Sequence, residues 1–280
     1  MSMKIYAFAD EASPYIDGQI AAMKRNGLDG LEIRTVDGQS VSDITGARAA
    51  EVKLKLQDAG LAVWSVGSPI GKTDIEKDDF GDHLEKFRRT IETAGILGAK
   101  NMRIFSFFIP KGKNALDYRG EVIDRMGRLL DIAGDYGVTL CHENEKGIYG
   151  DTAPRCYDLL SVFPNLCGIF DPANFIQCGQ NTAVAWTMLS SRIKYLHIKD
   201  ALESGKVVPA GRGAGNLRII VNSFIHNGGE VVTVEPHLTV FSALSSLERE
   251  GQSSEIDGFA YPSPDAAFDA AVAACRELLN

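Results

Sequence analysis

Residues 135–147 read DYGVTLCHENEKG, and this stretch contains the unit that repeats along the chain. Gly137 separates a segment of helical periodicity from the apolar run VTLCHE (138–143). A glycine after a helix adopts a left-handed backbone without steric cost, so it ends the helix and leads into a strand. The strand is continuously apolar and then turns polar. This pattern is typical of a parallel α/β protein, whose strands are covered on both faces.

An apolar strand-like run with a helical segment recurs eight times, and several of the helical segments end, like this one, with a glycine such as Gly98 just before the next strand. The predicted strands cover 4–9, 30–34, 61–66, 100–107, 138–143, 166–171, 193–199 and 230–235. The predicted helices cover about 15–26, 44–59, 80–98, 116–136, 153–163, 182–190, 216–227 and 264–279. Eight alternations in 280 residues predict the α/β class and one (β/α)8 TIM barrel spanning residues 1–280. The alternative is a doubly wound sheet, but no G-x-G-x-x-G follows the first strand.

The least regular segment lies between the eighth strand and the last helix, at 238–263. Its position over the expected active face suggests a lid. A surface loop or an oligomer contact explains the same composition equally well, so both interpretations stay open.

Composition restricts the compartment and the partners. The net charge is −8 and no run of Lys or Arg stands out, which argues against nucleic acid as a partner. Five cysteines without a C-x-x-C pair indicate reduced thiols. We find neither a secretion signal at the N-terminus nor an apolar run long enough for a membrane span, and we expect a cytoplasmic protein.

Four consecutive predicted strands, the fifth to the eighth, end near a side chain that can bind a metal. The carboxyl ends of barrel strands meet at one mouth, where the chemistry of such barrels lies, so one cation can collect all four. Three carboxylates and one imidazole suit Mn²⁺, Mg²⁺ or Co²⁺ better than a structural zinc, although Zn²⁺ stays possible. The predicted metal ligands are Glu143, Asp171, His197 and Glu235.

Strand alternation separates the four polar residues of HENE. Glu143 and Glu145 share one face of the strand, and His142 and Asn144 share the other. If Glu143 turns into the mouth, His142 points towards the helices and is structural. Glu145 then follows as a supporting residue or a loop charge.

At these residues the sequence resembles the xylose-isomerase-like TIM-barrel superfamily, in its sugar phosphate isomerase/epimerase branch. The matching motifs are GLDGLEIR, HENEKGIYGD, FDPANFIQCG, YLHIKDA, VPAGRGAG and VVTVEPHL. The resemblance implies that Glu143, Asp171, His197 and Glu235 bind the metal, and that Glu143 and Glu235 also form the catalytic acid/base pair. It further implies a small sugar or sugar phosphate as substrate, and homo-oligomers are common in the family.

The implied reaction is removal of a proton beside a carbonyl to give an enediolate, with a divalent metal stabilising the negative charge. Return of a proton to the opposite face of the same carbon epimerises the sugar, and return of a proton to the neighbouring carbon isomerises it. The alternative is a metal-dependent lyase or dehydratase on a keto-sugar or keto-inositol. Less expected are an abasic-site endonuclease, which would use many more histidines, and a non-catalytic sugar-binding barrel.

Five further residues are expected at the substrate site. Asn174 stands where related ketose epimerases carry a substrate-contacting His, which puts a simple ketose 3-epimerase in doubt. Lys199 shares a strand face with His197, from which it can polarise a substrate carbonyl, or it forms a salt bridge to Asp200 or Glu235 without a substrate role. Glu32 and Arg34 form a substrate-side pair or an internal ion pair. Arg212 lies in a glycine-rich loop, where it binds hydroxyls or a phosphate, or is merely solvated.

Overall fold

The computed structural model describes residues 3–241 and 261–280. In these ranges eight parallel strands close into a barrel, each paired with its neighbours along the chain and the eighth with the first. This arrangement confirms the predicted (β/α)8 TIM barrel. The barrel strands are β1 (Lys4–Ala7), β2 (Gly30–Ile33), β3 (Ala62–Val66), β4 (Asn101–Ile104), β5 (Thr139–Glu143), β6 (Cys167–Phe170), β7 (Ile193–Ile198) and β8 (Val231–Val234).

Helices follow the strands and surround the barrel. They are α1 (Ile16–Arg25), α2 (Gly46–Asp58), α3 (Phe80–Leu97), α4 (Arg119–Tyr136), α5 (Ala153–Val162), α6 (Pro172–Gln177), α7 (Thr182–Leu189), α8 (Leu217–His226) and α9 (Pro264–Leu279). Within the described ranges, no helix combines the length and the apolar character that crossing a bilayer requires. The predicted lid or contact loop at 238–263 falls mainly on residues 242–260, which lie outside the described residues.

Two helices end as their glycines predict. Gly98 follows α3 with φ 82° and Gly137 follows α4 with φ 63°, both in the left-handed region. At each, the glycine N–H donates to a carbonyl in the last turn of the helix, which satisfies a backbone group that the helix leaves open. Each glycine therefore ends a helix and directs the chain into the next strand.

Some element boundaries differ from the sequence prediction. The predicted strand at 100–107 ends at Ile104, and Phe107 adopts a left-handed φ of 65° that no strand accommodates. The predicted helix at 116–136 starts as a 3-10 turn over Ala115–Tyr118. The short helix α6 was not predicted, because only six residues separate Asp171 from Cys178 and no hydrophobic period fits in them.

The barrel interior is filled beneath the mouth by an apolar layer. It consists of Tyr6, Cys141, Ile169, Tyr195 and Val231. Side chains two positions apart on a strand point the same way, so the residues two positions after the last four also face the axis. Three of these are predicted ligands, Glu143, Asp171 and His197. The polar site therefore lies directly above this packed layer, which we call the apolar floor.

Candidate active site and metal centre

The four predicted metal ligands converge at the mouth. Glu143 ends β5, Asp171 directly follows β6, His197 lies in β7 and Glu235 directly follows β8. Each offers one ligand atom, and these atoms all lie within 4.8 Å of one another. All four side chains are buried. Adjacent parallel strands that end at the same height produce this convergence.

His197 is at the centre of the cluster. Its Nδ1 lies 2.8 Å from Glu143 Oε1 and 3.2 Å from Glu235 Oε2. Its Nε2 lies 3.1 Å from Glu32 Oε2. Burial by itself would lower the pKa of His197, but the negative charges of Glu143 and Glu32 raise that pKa well above its ordinary value.

Glu32 lies between the site and the apolar floor. Its side chain is completely buried, and its Oε1 accepts a hydrogen bond of 2.8 Å from the Tyr195 hydroxyl. Its other oxygen faces His197. Both oxygens are therefore engaged by protein groups, and this placement favours a role in orienting His197 over contact with a substrate.

Glu143 is fixed by Arg103, which lies in β4. Arg103 Nη1 lies 3.1 Å from Glu143 Oε2, and Arg103 Nη2 donates to the Gly67 carbonyl at 3.2 Å. Burial raises the pKa of Glu143, but His197 and Arg103 outweigh it and lower the pKa to about 2. Glu143 is therefore ionised.

Lys199 joins the other two carboxylates. Its Nζ lies 2.8 Å from Asp171 Oδ2 and 3.2 Å from Glu235 Oε2. Burial raises the pKa of Asp171 to about 7, against the opposing effect of Lys199. For Glu235, burial is outweighed by the positive charge of Lys199, and the pKa falls well below its ordinary value. The lysine therefore stands next to two of the predicted metal ligands.

Two asparagines, Asn144 and Asn174, hold Asp171 in place through hydrogen bonds to its backbone and its side chain. The Asn144 amide donates to the Asp171 carbonyl at 2.9 Å and accepts from the Asp171 N–H at 3.0 Å. Asn174 Nδ2 donates to the Asn144 carbonyl at 2.9 Å, and the Asn174 N–H donates to Asp171 Oδ1 at 2.9 Å. Asn174, predicted to contact substrate, thus braces the ends of β5 and β6 with its amide nitrogen.

Arg34 faces internal carboxylates. It binds Asp10 through Nε and Nη2, both at 2.9 Å, and its Nη2 lies 3.1 Å from Glu11 Oε1. Its Nη1 reaches Glu235 Oε1 at 3.5 Å. The Phe8 and Phe241 rings each lie within 5.0 Å of its guanidinium carbon. Arg34 is thus held on several sides by internal carboxylates, while Glu32, with which the sequence analysis grouped it, contacts Tyr195 and His197.

Glu11 and His237 lie beside Glu235 on the β1 side of the mouth. His237 Nε2 is 3.4 Å from Glu11 Oε1 and 3.5 Å from Glu235 Oε1. Burial raises the pKa of Glu11 to about 8, with Arg34 opposing it. Burial also lowers the pKa of His237 well below its ordinary value, so its imidazole is neutral.

The glycine-rich loop carrying Arg212 surrounds an acidic side chain of the protein itself. The N–H groups of Gly211, Gly213 and Gly215 donate to the Asp200 carboxylate, each at 2.9 Å. Those backbone donors are therefore occupied by Asp200. The Arg212 side chain is exposed, at a cavity of about 320 Å³ between this loop and α9.

His142 and Glu145 are separated from the ligand cluster. His142 Nε2 lies 2.9 Å from Ser106 Oγ, which also accepts from the Gly150 N–H. Burial lowers the pKa of His142 to about 4, so the ring is neutral. Glu145 forms an ion pair of 2.8 Å with Lys72. His142 is therefore packed against Ser106, and Glu145 is paired with Lys72.

The cluster fits a divalent ion by the chemistry of its donors. It offers three carboxylates and an imidazole, and the second nitrogen of that imidazole faces the carboxylate of Glu32. Metal-binding histidines in proteins are oriented by a carboxylate in this way. Asp171 Oδ2 accepts no well-aligned hydrogen bond within the described residues, and the group that it faces, 2.8 Å away, is the cationic Lys199 ammonium.

Sequence reasoning did not assign a role to Tyr195, Asn144 or Asp10. Tyr195 shares an inward face with His197 two positions later, so strand alternation is a signal that could have placed it below the site. Asn144 and Asp10 act through contacts with other elements, Asp171 and Arg34 respectively. No pattern along the sequence shows such contacts.

Several solved structures are similar to this chain. The IolI protein with a bound zinc atom is 17% identical, with TM-score 0.77, and the match covers 99% of this chain and 98% of that one. The 3-keto-D-glucoside 4-epimerase YcjR from E. coli is 18% identical, with TM-score 0.71, over 99% and 100%. A D-psicose 3-epimerase is 16% identical, with TM-score 0.74, over 98% of each chain. At these identities the likeness concerns the fold.

The sequence itself matches one family model. A search of curated proteins found no match. The model described as xylose isomerase-like TIM barrel matches residues 20–239, which is well over half of the 280-residue chain. The matched range includes β2 to β8 and all four residues of the metal-competent cluster. The chain therefore belongs to the xylose isomerase-like TIM barrel family.

Proposed function

We propose that this protein is a divalent-metal-dependent enzyme that isomerises or epimerises a sugar phosphate or keto-sugar through an enediolate. The observation that carries the proposal is the convergence of Glu143, Asp171, His197 and Glu235. Two of the structural relatives are named as epimerases, one of a ketose and one of a keto-glucoside, which supports the same reaction class here.

The four residues are the proposed metal ligands. Glu143, Asp171, His197 and Glu235 would hold the ion, which when bound would polarise a substrate carbonyl and stabilise the negative charge that develops on its oxygen. The oxygen-rich donor set favours Mn²⁺, Mg²⁺ or Co²⁺, and Zn²⁺ also accepts such ligands. Glu32 orients the imidazole of His197 so that Nδ1 faces the carboxylates of Glu143 and Glu235.

Glu143 and Glu235 are the proposed proton carriers. Glu143 ends β5 and Glu235 directly follows β8; β8 is next to β7 in the barrel, whereas β5 lies on the other side of β7, beyond β6. The pKa of each is held low, so both are ionised and able to take a proton from a carbon beside a carbonyl. Arg103 fixes one carboxylate, while Lys199 and Arg34 fix the other. Removal of the proton by one carboxylate, followed by donation from the other once it has taken up a proton from solvent, would invert the carbon.

Lys199 is the proposed substrate-polarising residue, because its ammonium lies within the cluster. We assign Asn174, Glu32 and Arg34 to the substrate site as supporting residues, since each engages a group of the cluster or its neighbours. Arg212 is exposed, and we propose that it binds a hydroxyl or phosphate remote from the reacting carbon.

The test is proton exchange with solvent. Wild-type protein loaded with Mn²⁺ is incubated in deuterated water with free, phosphorylated and 3-keto sugars, and the products are analysed by mass spectrometry. We expect deuterium at one carbon without loss of water, and loss of exchange after chelation or in Asp171→Asn. A product lighter by one water identifies a dehydratase instead. Exchange that persists after chelation, or none with any sugar class, contradicts the proposal.

A further inference from the structure

A second group of metal-competent atoms lies on the β1 side of the mouth. Its members are Glu11, Glu235 and His237, all buried, and their nearest ligand atoms lie within 4.8 Å of one another. The two oxygens of Glu235 face different ways. Oε2 is directed to His197 and Lys199, whereas Oε1 is directed to His237 and Arg34. The carboxylate therefore stands between two clusters.

The distances between the ligand atoms of the second group suit a tetrahedrally coordinated metal ion. His237 Nε2 lies 3.4 Å from Glu11 Oε1 and 3.5 Å from Glu235 Oε1. Zinc binds nitrogen and oxygen at about 2.0–2.1 Å, and the edge of a tetrahedron with such bonds is about 3.4 Å. In the first cluster, His197 Nδ1 is closer to Glu143 Oε1, at 2.8 Å. That separation is closer to the edge of an octahedron, about 3.0 Å for bonds of 2.1 Å.

The His237 ring is an unpartnered group aimed into this cluster. The residue is 7% exposed, and neither of its ring nitrogens has a hydrogen-bond partner among residues 3–241 and 261–280. A buried imidazole without partners costs free energy unless another group satisfies it. Phe241 stacks on the ring with 5.5 Å between centroids, which fixes its direction.

His237 has an uncommon backbone conformation, which brings its N–H to Glu11, another member of the cluster. Its φ of 42° is in the left-handed region, which is uncommon for residues other than glycine. In this conformation its N–H donates to Glu11 Oε2 at 2.6 Å, which leaves Glu11 Oε1 facing the ring. Strain that places a buried carboxylate and imidazole together is characteristic of functional sites.

One cation of the protein, Arg34, is shared among the carboxylates next to this cluster. Asp10, Glu11 and Glu235 surround one guanidinium, that of Arg34. Arg34 makes its two shortest contacts with Asp10, and its contacts with Glu11 and Glu235 are longer, at 3.1 and 3.5 Å. Arg34 therefore satisfies Asp10 most closely, and the oxygens of Glu11 and Glu235 that face His237 receive its longer contacts.

We propose that Glu11 Oε1, Glu235 Oε1 and His237 Nε2 form a second divalent-cation site of the zinc type, with the Glu235 carboxylate shared between the two sites. Three protein ligands leave a fourth position for a water or substrate oxygen, as in catalytic zinc sites. The inference does not depend on the proposed sugar reaction, because it concerns only the binding of metal.

The test is metal stoichiometry. Protein stripped with a chelator is reloaded with Zn²⁺, dialysed, and its zinc content per chain measured by mass spectrometry. We expect two zinc ions in wild type, one in His237→Asn and one in Glu11→Gln. Asparagine tolerates a left-handed backbone, so His237→Asn is expected to fold, and circular dichroism of each variant checks this. Glu11→Gln gives an independent measurement.

Two further variants identify which site is lost. Asp171→Asn changes the first cluster only and is expected to retain one zinc, while the double variant Asp171→Asn/His237→Asn retains none. His226→Asn, at an exposed position at the end of α8, retains two. One zinc in wild type, or two zinc ions still bound in His237→Asn, overturns the proposal and leaves Arg34 as the cation of this cluster. Two zinc ions without sugar turnover overturn only the proposed function.

Discussion

Glu32 and His197 face each other inside the barrel, with Glu32 Oε2 3.1 Å from His197 Nε2. This contact determines which imidazole nitrogen faces the other predicted metal ligands. Because Nε2 is directed to Glu32, Nδ1 is the nitrogen that faces Glu143 and Glu235. Tyr195 holds Glu32 from below through its hydroxyl. A fixed chain of groups therefore runs from the apolar floor to the metal-competent cluster.

Glu32→Gln is expected to weaken binding of Mn²⁺ by 10- to 100-fold, the usual effect of losing a carboxylate behind a metal-binding histidine. The glutamine keeps the volume of the side chain, so the change acts through the charge and the orientation of His197. Titration calorimetry on the chelator-treated protein measures the affinity. Glu230→Gln, at an exposed position before β8, is the matched control. Equal affinity in the two variants contradicts the orienting role.

Glu235→Gln is expected to fold and to lose about 10²- to 10⁴-fold in turnover, because glutamine cannot accept the substrate proton. Steady-state rates with saturating Mn²⁺ measure the loss. Glu145→Gln is the control, since Glu145 pairs with Lys72 outside the ligand set, and its rate should fall much less. Retention of most of the turnover in Glu235→Gln rules out the two-carboxylate mechanism.

Lys199→Met is expected to destabilise the metal-free protein by about 3 kcal/mol, because it leaves the buried Asp171 and Glu235 without their shared cation. A divalent ion replaces that charge, so the rise in Tm on adding Mn²⁺ should be larger than in wild type. Thermal melts with and without metal measure both effects. Lys194→Met changes an exposed lysine in the same strand and should alter neither. An unchanged metal-free Tm in Lys199→Met refutes this account.

The fold was predictable because its signals are local. Each strand is a short apolar run, and glycines such as Gly98 and Gly137 end helices by their own backbone freedom. The start of α4 and the end of β4 were less predictable, since a 3-10 turn and the left-handed backbone of Phe107 depend on the surrounding packing.

The cluster was predictable for a similar reason, because every member lies at the end of an apolar run. The contacts of its members were not. Arg34 turns towards Asp10, and Asn174 braces Asn144, through pairings between loops and strands distant in sequence. The partner of the glycine-rich loop is likewise the protein's own Asp200, which lies 11 to 15 residues earlier in the chain.

Gly213→Ala is expected to destabilise the fold strongly, because a Cβ at this position would lie 2.3 Å from the Ala201 carbonyl oxygen and 2.3 Å from Asp200 Oδ1. The loop would have to leave the Asp200 carboxylate, and its backbone hydrogen bonds would be lost. Chemical denaturation measures the free energy of unfolding. Gly134→Ala is the matched control, since a Cβ there meets nothing within 4 Å and lies inside α4. The free energy of unfolding of this control should rise by about 0.5–1 kcal/mol. Equal stability of the two variants contradicts the close approach.

Binding of Mn²⁺ is expected to release about one proton at pH 7. The carboxylates around His197 raise its pKa well above 6.5, so the metal-free imidazole carries a proton on each nitrogen. Nδ1 must lose its proton to bind a metal, and metal affinity should therefore rise about tenfold per pH unit up to that pKa. Asp171, with a pKa of about 7, adds a fraction of a proton. Calorimetric titrations in buffers of different ionisation enthalpy count the protons. A heat that does not depend on the buffer means that His197 is already neutral, and that the carboxylates do not control its charge.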